Sequence, residues 1–230
     1  MPRLASARTR APELLERLGA LYPHATCSLD WRTPYELLVA TMLSAQCTDA
    51  RVNLVTPALF ERFPDAAAAA AVEPAEVEPY VQSTGFFRNK AKAIVGASRL
   101  LMERHGGEVP RTMEELLVLP GVARKTASVV LAWCYGINAG VTVDTHVARL
   151  SQRLKLSKHS EPRRIEPDLM QLVPQADWQN LSIRLIFHGR AVCTARSPRC
   201  GACPIADLCP NGEFLSAKPA RSAKAGPAAR

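Results

Sequence analysis

An all-α fold is predicted by three features of this 230-residue chain. Apolar residues recur at helical spacing in one segment after another. No segment reads as a confident strand: the β-branched run 141–143 is short and isolated, and fits extended chain better. Aromatic content is only 6%, which argues mildly against a β-sandwich or barrel.

The elements follow from local punctuation. Residues 1–10 look disordered, and the first helix follows Pro12, with Leu14, Leu15, Leu18 and Leu21 on one face. Thr33 is placed as the cap of a helix whose first residue is Pro34 and which carries Leu37, Leu38, Met42 and Leu43. The stretch 47–49 breaks it. A further helix runs from about residue 50 to 63, and Pro57 should kink or split it. Asp65 caps the alanine run 66–71. Pro74 starts a short helix that ends before Gly85. Residues 88–105 form a long amphipathic helix closed by Gly106 and Gly107. Thr112 caps the segment 113–119, and a tight turn leads to an apolar helix through Val129, Val130, Leu131 and Trp133. After the loop 136–140, Asp144 precedes a helix bearing Val147, Leu150 and Leu154. Another starts at Pro162 or Ile165, and the last long one spans about 178–192. That makes about ten helices with no internal repeat. A boundary near 136–140 separates a central helical domain from a cysteine-bearing one, and the first helix could pack with either.

With 47% apolar residues, the chain can fill one large core or two small ones. The net charge of +8 favours polyanionic partners, nucleic acid or an anionic membrane surface, although a soluble protein of a basic proteome is an equal reading. No run of apolar residues is long enough for a membrane span. The basic N-terminus lacks the apolar segment of a signal peptide. Beyond Pro210 the chain is basic and uncored, with Lys218, Arg221, Lys224 and Arg230, and reads as a disordered tail.

Seven cysteines without a secretion signal point to a reducing cytosol. Cys27, Cys47 and Cys134 are scattered and read as buried small hydrophobes. Cys193, Cys200, Cys203 and Cys209 are spaced Cys-x6-Cys-x2-Cys-x5-Cys. Four thiolates so close can share a zinc ion or hold a [4Fe–4S] cube, and a single Cys-x2-Cys inside one compact loop suits the cube better. Arg196 and Arg199 lie between the first two cysteines. A pinned basic loop there can meet phosphate, or be a plain solvated loop.

The stretch 119–127 has a glycine turn feeding a helix start, which leaves backbone N–H groups aimed outward at an anion such as phosphate. Lys125 lies in the first turn of that helix. A helix N-terminus, nearby cations and desolvation each favour a neutral amine, which can form a Schiff base. The plain alternative is a solvent-facing lysine. Asp144 reads first as an N-cap, and spacing alone does not say whether it meets Lys125.

Taken in order, these stretches resemble the endonuclease III family of DNA glycosylases. The segment 119–127 is similar to that family's helix–hairpin–helix, and Val143-Asp144-Thr145-His146 to its catalytic aspartate segment. Leu43-Ser44-Ala45-Gln46-Cys47-Thr48-Asp49 is similar to its DNA-inserting loop, and the cysteine spacing to its [4Fe–4S] motif. The resemblance covers about residues 12–210. One departure is Ala123, where such hairpins often carry a second glycine. Helical angles are expected there, so that alanine does no harm.

The resemblance implies two helical lobes with a DNA-binding groove between them. The six-helix domain would be 27–138, with the helix–hairpin–helix at about 113–135. The cluster domain would combine 1–26 with 139–210, and 211–230 would be the tail. Lys125 would be the nucleophile and Asp144 its carboxylate partner, on damaged double-stranded DNA carrying oxidised pyrimidines. Gln46 would fill the gap left by a flipped nucleotide, and Phe86 or Phe87 would be a wedge, with core packing an equal reading for Phe86. Backbone N–H groups of Gly121 and Ala123 would hold a phosphate. His146 would contact a phosphate or orient Asp144. The implied protein is a cytoplasmic monomer, nucleoid-associated if bacterial, whose cluster is structural. Two other readings remain: a monofunctional glycosylase for mismatched or alkylated bases, and a non-catalytic DNA-binding module.

Overall fold

The computed structural model describes residues 5–211. Among these residues there are eleven α-helices, four short 3-10 turns and no strand. In chain order the helices are α1 (Ala7–Leu21), α2 (Pro34–Leu43), α3 (Asp49–Arg62), α4 (Ala66–Ala70), α5 (Pro74–Val81) and α6 (Phe87–His105). They continue with α7 (Met113–Val118), α8 (Arg124–Tyr135), α9 (Thr145–Arg153), α10 (Pro162–Met170) and α11 (Trp178–Ala191). The chain divides into two compact units: Thr26–Thr142, and the N-terminal residues through Ala25 together with those from Val143 onward. Among the described residues no helix is long and apolar enough to cross a membrane. The basic tail read from the sequence lies outside the described residues beyond Asn211.

The unit Thr26–Thr142 is built around α2, in which every residue from Tyr35 to Leu43 is buried. A helix that is apolar on all sides belongs in the middle of a core. Its start is set locally: the Thr33 hydroxyl accepts the Glu36 N–H at 3.2 Å, and Pro34 follows at the first helical position. Tyr35 reaches Ser98 of α6 at 2.9 Å, and burial pushes its hydroxyl up to about 12. The other predicted caps also form. Asp65 accepts the Ala68 N–H at 2.8 Å, Thr112 accepts the Glu115 N–H at 3.3 Å, and Gly106 ends α6 in the left-handed conformation. Helix α3 is not split at Pro57 and runs on as one helix. Buried Val52, Thr56, Leu59 and Phe60 lie on both sides of the proline and hold both halves to one core face. Cys27, Cys47 and Cys134 are only half-buried, packed at the edge of this core rather than inside it.

The second unit corrects the reading of residues 1–10 over residues 5–10; the first four lie outside the described residues. Helix α1 begins at Ala7, well before Pro12, with the Ser6 hydroxyl accepting the Thr9 N–H at 3.2 Å. Arg10 is only 5% exposed. Its guanidinium donates to the carbonyls of Ala5 at 2.9 Å, Leu208 at 2.6 Å and Leu154 at 2.9 Å. A planar five-donor fork can satisfy three carbonyls at once, which makes burying this charge tolerable. Helix α1 packs on α11, which packs on α9, and α10 closes against α9. Leu14, Leu18, Leu150, Ile165, Leu169 and Leu185 fill this core.

Candidate functional site

The hairpin between α7 and α8 is a turn with two apolar anchors. Leu119 and Val122 are buried, and the Val122 N–H donates to the Leu119 carbonyl at 3.1 Å. Gly121 between them has φ +76°, and a Cβ there would stand 2.7 Å from Ala93 Cβ and 3.0 Å from Met42 Cε. Conformation and close approach therefore both require glycine. Ala123 departs from expectation: it is extended (φ −90°, ψ 166°) and caps α8 without a side-chain bond. Because φ is negative, alanine carries no left-handed penalty. Gly121 and Ala123 are exposed. Among the described residues no protein acceptor takes their N–H groups. Lys125 follows as the second residue of α8. It is exposed rather than shielded by apolar neighbours, and it stands at the N-terminus of the helix.

Two further turns of the same unit carry side chains outward. Gln46 sits in the turn after α2, exposed, with φ +54°. Phe86 precedes α6 with φ +50° and is 64% exposed. Core packing is thus ruled out for Phe86; its neighbour Phe87 is the half-buried ring, lying against the core and under Arg88 at 5.3 Å. Among the described residues only Gln46, Phe86 and Lys155 hold positive φ without being glycine. Each such residue costs about 1 kcal/mol, and strain of this kind gathers where a site dictates the backbone.

Asp144 belongs to the other unit. It is the N-cap of α9, and its Oδ1 accepts the N–H groups of His146 and Val147, both at 2.8 Å. The cap does not use Oδ2. His146 meets Asp144 through its backbone N–H, and its ring Nδ1 accepts from Arg149 at 3.1 Å. Arg149 also donates to the carbonyls of Gly189 at 3.0 Å and Cys193 at 3.0 Å. Burial lowers the His146 pKa, against the pull of Asp144.

The four C-terminal cysteines line one cavity with Leu150, Leu154, Ile205 and His188. Among the described residues no three His, Cys, Asp or Glu side chains gather closely enough to hold a single metal ion. A tetrahedral zinc would need its sulfurs only about 3.8 Å apart, given bonds of about 2.3 Å. Four thiols lining one apolar cavity fit a cube, which takes one at each iron corner. Two donors face those sulfurs. Arg153 reaches Cys193 Sγ at 3.2 Å, and His188 Nε2 lies 3.5 Å from Cys203 Sγ. Burial pulls His188 down to about 4, so its ring is neutral near pH 7. The Tyr22 hydroxyl lies 2.9 Å from Nδ1, and in the tautomer where that hydroxyl donates, Nε2–H is left for the sulfur. Burial pushes the Cys203 and Cys209 thiols up, and a buried thiolate needs the opposing charge that iron supplies. The loop between the first two ligands is closed by Thr194 Oγ1 on the Ser197 carbonyl at 2.7 Å and by Arg199 on the Ala191 carbonyl. Arg196 is exposed on that loop.

Residues 39–175 match the family model of HhH-GPD superfamily base excision DNA repair proteins. Residues 193–209 match the iron–sulfur binding domain of endonuclease III. Helical fold, hairpin and cysteine segment together define a base excision repair DNA glycosylase. The chain is 64% identical to endonuclease III of Synechocystis over 92% of its length and 96% of that protein's. It is 46% identical to endonuclease III of Bacillus subtilis over 86% of its length and 91% of that protein's. A solved non-covalent endonuclease III–DNA complex superimposes with a TM-score of 0.88 at 40% identity, covering 93% of this chain and all of that one. A trapped endonuclease III–DNA covalent intermediate superimposes with a TM-score of 0.87, also at 40% identity, over 92% of this chain. The chain belongs to the endonuclease III family, and it carries a [4Fe–4S] cluster. Cys193, Cys200, Cys203 and Cys209 are the residues that would hold it.

Proposed function

We propose that this glycosylase is bifunctional: it releases oxidised pyrimidines from damaged duplex DNA and then cuts the strand as an abasic-site lyase. The observation that carries this reading is Lys125, an exposed amine in the first turn of α8, directly behind a hairpin whose backbone N–H groups face outward. The likeness to a chain trapped as a covalent DNA intermediate supports it.

In this reading the neutral Lys125 Nζ attacks C1′ of the damaged nucleotide. The C1′–N bond breaks, and the base leaves with the electron pair and gains a proton. The sugar ring opens to a Schiff base between Nζ and C1′. Loss of a proton from C2′ then expels the 3′ phosphate, which cuts the strand 3′ to the lesion by β-elimination. Asp144 stabilises the positive charge that develops at C1′ and assists proton transfer. The duplex hides C1′, so the nucleotide must leave the stack. Gln46 fills the vacated space and faces the orphan base, while exposed Phe86 wedges the neighbouring step. Gly121 and Ala123 anchor a phosphate through backbone N–H groups, and Arg196 and Arg199 add contacts from the cysteine loop. His146 holds Asp144 in place by its main chain. The cluster is structural, and the protein acts as a monomer.

A panel of duplexes, each with one oxidised pyrimidine, tests this. Base release and strand nicking are expected together, and neither on undamaged duplex. Base release without nicking would make the protein monofunctional; binding without either would make it a DNA-binding module.

A further inference from the structure

Lys90 is the buried cation of the first unit that the proposed chemistry leaves unused. It lies in the first turns of α6 and is 7% exposed. Its Nζ donates to the Leu43 carbonyl at 2.8 Å and to the Thr84 carbonyl at 2.7 Å. Among the described residues no carboxylate pairs with it. Burial lowers its pKa, against the pull of the nearby Cys47, and the two carbonyls are its hydrogen-bond acceptors.

The two carbonyls have a common character. Leu43 is the last residue of α2, and Thr84 is the last residue of the 3-10 turn 82–84. Carbonyls at helix ends lack intrahelical partners and carry partial negative charge. One ammonium therefore caps two chain segments at once. Each segment leads directly into one of the strained outward residues: Gln46 follows Leu43 in the next turn, and Phe86 follows Thr84 after Gly85.

We infer that Lys90 is a positioning residue for nucleotide flipping, its ammonium tying together the roots of the Gln46 and Phe86 turns. Those two side chains are thereby presented to the duplex as one rigid pair. Ordering is done before DNA arrives, so none of the binding energy goes into fixing two independent loops. This inference rests on the glycosylase reading, and it adds that distortion of the duplex depends on a residue that never touches DNA.

The test compares two duplexes carrying the same oxidised pyrimidine. In one the lesion is fully paired; in the other it lies in an unpaired bubble, where no stack has to be opened. Lys90→Met keeps the apolar stem and removes the donors. Single-turnover base release from the paired duplex should slow by about 10-fold or more, with less than about 3-fold change on the bubble. Lys90→Arg, which keeps a charged donor for each of the two carbonyls, should recover part of the paired rate. Lys90→Gln, whose shorter stem reaches fewer carbonyls, is read on the same pair if Lys90→Met does not fold. Equal losses on both duplexes, or none on either, overturn the inference and leave Lys90 a support of the fold. Wild-type protein inactive on both duplexes would sink the glycosylase reading itself, and this inference with it.

Discussion

The hairpin of the first unit and the cysteine segment of the second are both basic and irregular, yet their cations have opposite fates. Around the cysteines, three guanidinium groups turn inward, while Arg196 stays exposed. Arg10 binds the Leu208 and Leu154 carbonyls, Arg149 those of Gly189 and Cys193, and Arg153 those of Thr194 and Ala195. At the hairpin, Lys125 stays exposed, and the exposed Gly121 and Ala123 have no protein acceptor for their N–H groups among the described residues. The cause is the main chain. The cysteine segment is wound in short turns that leave many carbonyls unpaired, and arginine forks fill them. The hairpin is closed by Leu119 and Val122 and is short of acceptors, not donors. A net charge of +8 therefore overstates how many cations are free to meet phosphate.

This contrast can be broken by substitution, most severely at the amine. Lys125→Ala should lower strand cutting on a lesion-bearing duplex by at least about 1,000-fold with little change in melting temperature, because the side chain is exposed. Asp144→Asn comes next. Asparagine caps a helix as well as aspartate, so α9 should stay intact while base release falls about 100-fold. If duplex affinity falls equally, Asp144 is only a cap. Arg10→Met probes the inward cations. It strips donors from three carbonyls and should cost roughly 2–4 kcal/mol in urea unfolding, with base release below the transition unchanged. An unchanged midpoint would mean that those bonds are replaced by water. The smallest expected effect on function is at Gly121→Ala, where left-handed strain of about 1–2 kcal/mol and a Cβ crowded against Ala93 displace the turn and should weaken duplex binding by about 10-fold at fixed salt.

These differences also mark what was legible in the sequence. Caps at Thr33, Asp65 and Thr112 and the stop at Gly106 are local, and a few neighbouring residues suffice to write them. Lys125 and Asp144 were picked out by helix starts, again a local signal. Arg10 was misread because a basic N-terminus looks solvated until the distant Leu154 and Leu208 carbonyls are brought to it. Lys90, Arg149 and Arg153 were missed for the same reason: each answers an orphan carbonyl that only the folded chain creates. Phe86 could not be separated from Phe87 by residue type, since both are apolar. The positive φ at Phe86, next to Gly85, turns one ring out and leaves the other on the core.

Borohydride trapping on a duplex with a single oxidised pyrimidine, followed by peptide mapping of the adduct, bears most directly on the central claim. A reduced Schiff base should map to Lys125 in the wild-type protein and be absent from Lys125→Ala. An adduct mapped to another residue, or one that persists in the variant, would contradict the account.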